Sequence, residues 1–172
     1  MKRQDFSYEL PDALIAAEPL PNRTDSRLMV IDPEAPLAHR KVSELAELIR
    51  PGDVVVANNT RVFPARLYGE KASGGRVEVM IERLLGDHQI KAFVKASKTP
   101  KPGAVLTMEG GFTLTVTGRD GDLFLLESEP SVVILEMAEQ FGHVPLPPYI
   151  KRADTEADRD RYQTVFAKEA GA

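Results

Sequence analysis

The sequence predicts a mixed α and β chain, an incomplete α/β domain with a small antiparallel β-barrel inserted into it. Three observations predict it. Over residues 65–129 short apolar strands follow one another, separated by Gly, Pro and Asp turns. Upstream of Pro64, helix-like and strand-like segments alternate instead. Downstream of Gly142 the sequence turns Pro-rich and loop-like, with no closing element on which a domain would end. The expected division is 1–64 for the first part of the α/β domain, 65–142 for the barrel and 143–172 for a truncated return segment.

Taken in order, "ELPDALIA" offers a short helix after Pro11 or Asp12, and "SRLMVID" reads as a strand. "SELAELI" has the spacing of an amphipathic helix, with Ser43 near its N-cap. "PGD" turns the chain into "VVVAN", a continuous β-branched run expected as a strand covered on both faces. Five or six barrel strands are expected next, within "ARLYGEKA", "RVEVMIERLL", "IKAFVKAS", "AVLTME", "FTLTVTGR" and "LFLLESE". In the second, Val77, Val79 and Ile81 alternate with Arg76, Glu78, Met80 and Glu82, the period of two that faces one side inward. Closure of such a set into a barrel removes exposed edges. "SVVILEMAEQFG" is expected as a helix capped by Ser131 and stopped by Gly142.

Composition narrows the function classes. With 42% hydrophobic and 28% charged residues among 172, the chain can fill a core and keep a solvated surface. There is no cysteine, which excludes disulfides, thiolate nucleophiles and cysteine metal sites. His39, His88 and His143 lie far apart in sequence, and no metal is expected. The N-terminus is a poor secretory signal and no run of about 20 apolar residues exists, so the expected location is the cytoplasm. The net charge of −4 hides an asymmetry: residues 61–106 hold nine Lys or Arg against four Asp or Glu. A local basic segment suits phosphate contact, and it equally suits a solvated barrel surface.

The polar groupings each have two readings. Asn58, Asn59, Thr60 and Arg61 end the most apolar strand, where open sheets place ligand groups; the asparagines also suit a turn cap. Ser73, Gly74 and Gly75, between Lys71 and Arg76, make either an anion-binding backbone nest or a hairpin turn. Lys95, Lys98 and Lys101 surround a Pro loop suited to RNA phosphates or simply to solvent. Phe63, Tyr68 and Phe93 are too scattered in sequence to form a base-stacking platform. In "GHVPLPPYIKR" three prolines stiffen a loop that ends in Tyr149, Lys151 and Arg152, either a recognition element or a strap between domains. No catalytic triad or paired carboxylates stand out.

Together and in this order, "LIAAEPLPNRTDSRLMV", "NNTRVFPARL", "KASGGRVEV", "ASKTPKPG", "GHVPLPPYIKR" and "DRYQTVFAKEAGA" resemble the S-adenosylmethionine:tRNA ribosyltransferase-isomerases of queuosine synthesis, over residues 6–172. The resemblance implies an α/β domain with an inserted β-barrel. It implies transfer of the ribosyl part of S-adenosylmethionine to 7-aminomethyl-7-deazaguanine at the tRNA wobble position. The product is epoxyqueuosine, and adenine and methionine leave without a metal. Matched to the family motifs, Asn58, Asn59, Thr60 and Arg61 line the site with Arg66 nearby. Lys71, Ser73, Gly74 and Lys98 are candidates for RNA or substrate contact, joined by Tyr149, Arg152, Tyr162, Gln163 and Thr164. The general base is not identified. Family members continue into a second half, so the chain is expected to be an N-terminal part with little activity alone. The alternative is a noncatalytic RNA-binding barrel.

Overall fold

A computed structural model describes residues 1–171, which form two compact units. One comprises Met1–Ala57 and Pro148–Arg152; the other comprises Asn58–Pro147 and Ala153–Ala172, described here to residue 171. In the first, β1 (Arg27–Val30) pairs antiparallel with β2 (Ala38–Lys41), and a 3-10 turn at Val42–Glu44 leads into the short helix α1 (Leu45–Leu48). Ser43 is not the N-cap of that turn: the cap position is Lys41, two residues earlier, and Glu44 reaches back to accept the Lys41 N–H at 2.6 Å. The helix expected after Pro11 is a single 3-10 turn, Asp12–Leu14. None of the unit's residues is buried.

The expected strand over residues 54–58 does not form. Val54, Val55 and Val56 are 85%, 64% and 90% exposed, and no described strand pairs with them. β-branched side chains favour extended backbone, but a two-faced buried strand needs ladder partners and cover on both sides. Only Thr60–Arg61, further along, is a strand: β3, paired in parallel with a two-residue strand near the end of the chain, Glu169–Ala170.

The second unit is built on a closed antiparallel barrel. Its strands are β4 (Arg66–Lys71), β5 (Arg76–Leu84), β6 (Gln89–Ala96), β7 (Val105–Met108), β8 (Thr113–Asp120) and β9 (Leu123–Ser128). Their order around the wall is β4-β5-β6-β9-β8-β7, and β7 pairs with β4 to close it. All six coincide, to within one residue at either end, with the segments that the turn signals separate in the sequence. Val77, Val79 and Ile81 point inward at 3%, 0% and 6% exposure, alongside Ile90, Leu106, Leu114, Val116 and Leu126. Removing these side chains from water is the main favourable term in holding the barrel shut. At one position, β5 departs from strict alternation: the register with β6 shifts between Ile81 and Arg83, which makes Glu82 the extra residue of a bulge.

The helix α2 (Ile134–Phe141) buries Ile134 and Ala138 in the barrel core. Ser131 does not cap it. The Ile134 N–H donates instead to the Asp87 carbonyl, 2.8 Å away, in the β5–β6 turn. Gly142 does end the helix, with φ −77°, an ordinary value for any residue. Glycine is needed there for close approach: a Cβ would lie 2.2 Å from the Pro64 oxygen and 2.3 Å from the Ala138 oxygen. The return segment, expected as loop, contains helix α3 (Glu156–Arg161) and strand β10 (Glu169–Ala170). The Asp158 carboxylate, accepting from the Thr155 N–H at 2.8 Å and hydroxyl at 2.9 Å, starts the helix.

Candidate functional site

A cavity of about 710 Å³ opens in the second unit, where the chain enters the barrel and where it returns. Its walls come from four places: Arg61, Val62, Phe63 and Pro64; the end of β5 at Glu82, Arg83 and Leu84; α2 with Leu135 and Glu139; and the return segment with Val144, Pro145, Arg159, Tyr162 and Gln163. This volume lies in the range of small-molecule sites, and an apolar wall with a few charged groups is their usual make-up.

Each wall is fixed by hydrogen bonds to backbone. The Gln163 side chain acts as a substitute ladder partner: Val62 N–H donates to its Oε1 at 2.9 Å, and its Nε2 donates to the Val62 carbonyl at 2.8 Å. Arg159 donates to the Glu139 and Gly142 carbonyls at 2.9 and 2.8 Å, tying α3 to the open end of α2. The Tyr162 hydroxyl donates to the Pro145 carbonyl at 3.2 Å. Glu82 and Arg83 both reach the rim because of the bulge, and they pair at 3.3 Å.

His143, one residue before the wall, anchors that segment. Its backbone bridges to Arg66, donating at 2.7 Å and accepting at 3.2 Å. Its Nδ1 lies 2.8 Å from Asp154 Oδ1 and its Nε2 3.0 Å from Glu109 Oε2, and its ring meets Tyr68 edge-on at 4.9 Å. Burial opposes charging the imidazole, but its bonds to the two carboxylates outweigh this and raise the pKa above the ordinary 6.5.

The motif residues fall into three groups. Arg61, Tyr162 and Gln163 line the cavity. Asn58, Asn59, Thr60 and Thr164 form the seam beside it. Thr60 N–H donates to Asn58 Oδ1 at 2.9 Å, Thr164 Oγ1 donates to the Asn58 carbonyl at 3.0 Å, and the Asn59 carbonyl accepts from the Lys168 and Glu169 N–H groups. The asparagine turn is therefore present, and Asn58 spends its side-chain oxygen on it. Arg66 is not a cavity wall; it pairs with Glu78 at 3.0 Å and donates to the Leu146 carbonyl at 3.2 Å. Ser73 and Gly74 form the β4–β5 hairpin turn. Gly74 has φ +78° and donates its N–H to the Lys71 carbonyl, so that N–H is not free for an anion. Lys71 Nζ donates to the Lys98 carbonyl at 3.0 Å. Tyr149 and Arg152 belong to the other unit, Tyr149 exposed and Arg152 donating to the Ala17 carbonyl at 3.0 Å.

The model of the family described as queuosine biosynthesis protein matches residues 3–172. The chain belongs to that family. Its final residue, Ala172, closes the last motif but lies outside the described residues. A solved structure similar to this chain is an S-adenosylmethionine tRNA ribosyltransferase from Thermotoga maritima, 31% identical, with a TM-score of 0.41. The match covers 81% of this chain and 48% of that one, so the chain spans about half the length of that relative.

The sequence does not mark Phe63, Glu82, Arg83, Leu135, Glu139, Val144 and Arg159 as candidate site residues, yet they line the cavity. Arg159 sits in a charge run within a segment that reads as loop. The T-x-x-D of Thr155 and Asp158 was a signal for α3, and with it for the placement of Arg159. Among the described residues no helix is long and apolar enough to cross a membrane, and no group of three or more His, Asp or Glu is arranged to hold a metal.

Proposed function

We propose that these residues serve, in the cytoplasm, an enzyme that transfers and isomerises the ribosyl part of S-adenosylmethionine onto 7-aminomethyl-7-deazaguanine in tRNA. Epoxyqueuosine forms, and adenine and methionine are released. Family membership supports queuosine synthesis, and the 710 Å³ cavity with Arg61 at its edge carries the finer reading. The residues present match the donor chemically. Phe63, Pro64, Leu84 and Val144 offer an apolar wall for a purine, Arg61 a partner for a carboxylate, and Glu82 and Glu139 partners for an ammonium or sulfonium. The Arg61 side chain is exposed and makes no hydrogen bond or ion pair among the described residues, so it is free to meet a ligand. The sulfonium supplies the driving force, since it acidifies the adjacent ribose hydrogens and departs as neutral methionine. The protein supplies position and charge complementarity. In this reading residues 1–64 and 143–172 carry an α/β domain interrupted by the barrel of residues 65–142.

The test is adenine release from S-adenosylmethionine in the presence of tRNA bearing the 7-aminomethyl base, assayed in the full-length enzyme. Arg61→Ala is expected to lower it by about 10²-fold, the scale of losing one positioned charged donor, with an unchanged circular dichroism spectrum. Full turnover in the variant would remove Arg61 from the site. Binding of the anticodon stem-loop with no adenine release would favour the noncatalytic RNA-binding barrel instead.

A further inference from the structure

Tertiary structure assembles on the barrel exterior what the sequence scatters. The outward positions of β5 and β6 pair Met80 with Phe93 and Glu78 with Lys95. Phe93 is 52% exposed on a strand whose flanking residues Ala92 and Val94 pack in or against the core. Beside it is a second concavity of about 350 Å³, floored by Met80, Phe93 and Val94 and edged by Lys95, Thr99 and Arg119. Arg119 is held in place: its guanidinium lies 4.4 Å from the Phe124 ring centroid and donates to the Asp122 carbonyl at 3.3 Å.

The edge of this groove is also ordered. In the loop that carries Thr99, Pro100 is buried, Ala104 N–H donates to the Lys101 carbonyl and Gly103 N–H to the Val116 carbonyl. The Lys98 carbonyl is held by Lys71, which fastens the loop to the β4–β5 hairpin end. Lys95, Lys98 and Lys101 are all exposed there. Of the two carboxylates at the groove, Glu78 is already neutralised by Arg66 at 3.0 Å, so Asp122 is the remaining acid against Lys95 and Arg119. Of the nine basic residues of 61–106, Lys95, Lys98 and Lys101 lie at the end of β6 and in the loop that follows it.

We propose that this groove binds an unpaired RNA nucleotide, its base stacked on Phe93 and its flanking phosphates on Lys95, Lys98 and Lys101. An exposed aromatic ring in a cationic groove is the arrangement that holds single-stranded nucleic acid without reading its sequence: every base has a π face, and the phosphates supply the salt-dependent attraction. The proposal rests on the tRNA reading above and adds a location on the barrel, outside the cavity, where that RNA is held.

The probe is an RNA hairpin carrying 2-aminopurine in its unpaired loop, compared with the same stem as a blunt duplex, against the full chain. The hairpin is expected to bind more tightly than the duplex and to change its 2-aminopurine fluorescence. Phe93→Ala is expected to abolish that change and weaken binding about 5- to 150-fold, the equivalent of one lost base–aromatic stack, while Phe93→Trp retains both. Lys98→Ala with Lys101→Ala is expected to reduce the slope of log affinity against log salt by about 1 to 2. Phe93 is half exposed, so its loss leaves the core intact, which a circular dichroism melt checks. Hairpin binding unaffected by Phe93→Ala, or equal affinity for duplex, overturns the groove and leaves the tRNA reading standing. No binding of either RNA by the wild-type chain overturns both.

Discussion

His143 shows what one side chain does when two carboxylates share it. Asp154 comes from the return segment, Glu109 from the β7–β8 turn, and Arg66 and Tyr68 from β4, so the imidazole joins three pieces of chain beside the cavity wall. Its folded pKa lies above the unfolded value of about 6.5. The stabilisation it contributes is therefore complete below about pH 6.5 and is lost as pH rises through the higher folded pKa. Urea unfolding midpoints are expected to fall over that window, and His143→Gln to remove the step. A midpoint with the same pH profile in the variant would show that the two carboxylates do not act through this residue. Gln163, in contrast, acts without titrating. Its amide supplies one acceptor and one donor to the two backbone groups of Val62, a job no other side chain of its size does in a single orientation.

At the scale of elements, α2 and the segment after it depend on how closely backbone passes backbone. Gly142 sits against the Pro64 and Ala138 oxygens, where a methyl group would lie 2.2 and 2.3 Å away. Gly142→Ala is expected to cost about 1–3 kcal/mol in denaturant unfolding, the usual scale for overpacking, even though its φ suits alanine. An unchanged midpoint would mean that Pro64 and α2 shift apart freely. The same lesson applies to caps. Ser43 and Ser131 are sound N-cap residues by type, yet one turn starts at Lys41, whose N–H Glu44 accepts, and the Asp87 carbonyl accepts the first N–H of α2, because those are the acceptors that geometry brings to the free N–H groups. The bulge at Glu82 is likewise decided by pairing with β6. Read by alternation alone Glu82 is one more outward residue of β5; the bulge places it and Arg83 together on the cavity rim.

At the scale of the whole molecule, the two units differ in what they bury. The core runs through the barrel and α2, while the unit of Met1–Ala57 and Pro148–Arg152 buries no residue. Amide exchange is expected to be slowest in β5, β6 and β8 and fast over residues 54–57, whose valines are solvent-exposed. Limited proteolysis should cut within residues 1–57 before it cuts a barrel strand. Early cleavage within β5 or β8 would contradict the assignment of stability to the barrel.

The barrel strands were legible in the sequence, to within one strand, because alternation and the turn residues between strands are local properties, written within a few residues of one another. Arg61, Tyr162 and Gln163, singled out by their match to the family motifs, are found on the wall of the cavity. Tertiary structure alone decided that Val62 would be clasped by a side chain 101 residues away, that Phe93 would stand beside Arg119, and that residues 54–57 would lie exposed. Each of these depends on which distant segment arrives as a neighbour, and closure of the barrel, with the return of α3 against α2, fixes that for the first two. A β-branched run states its preference for extension, but only its neighbours decide whether it is buried.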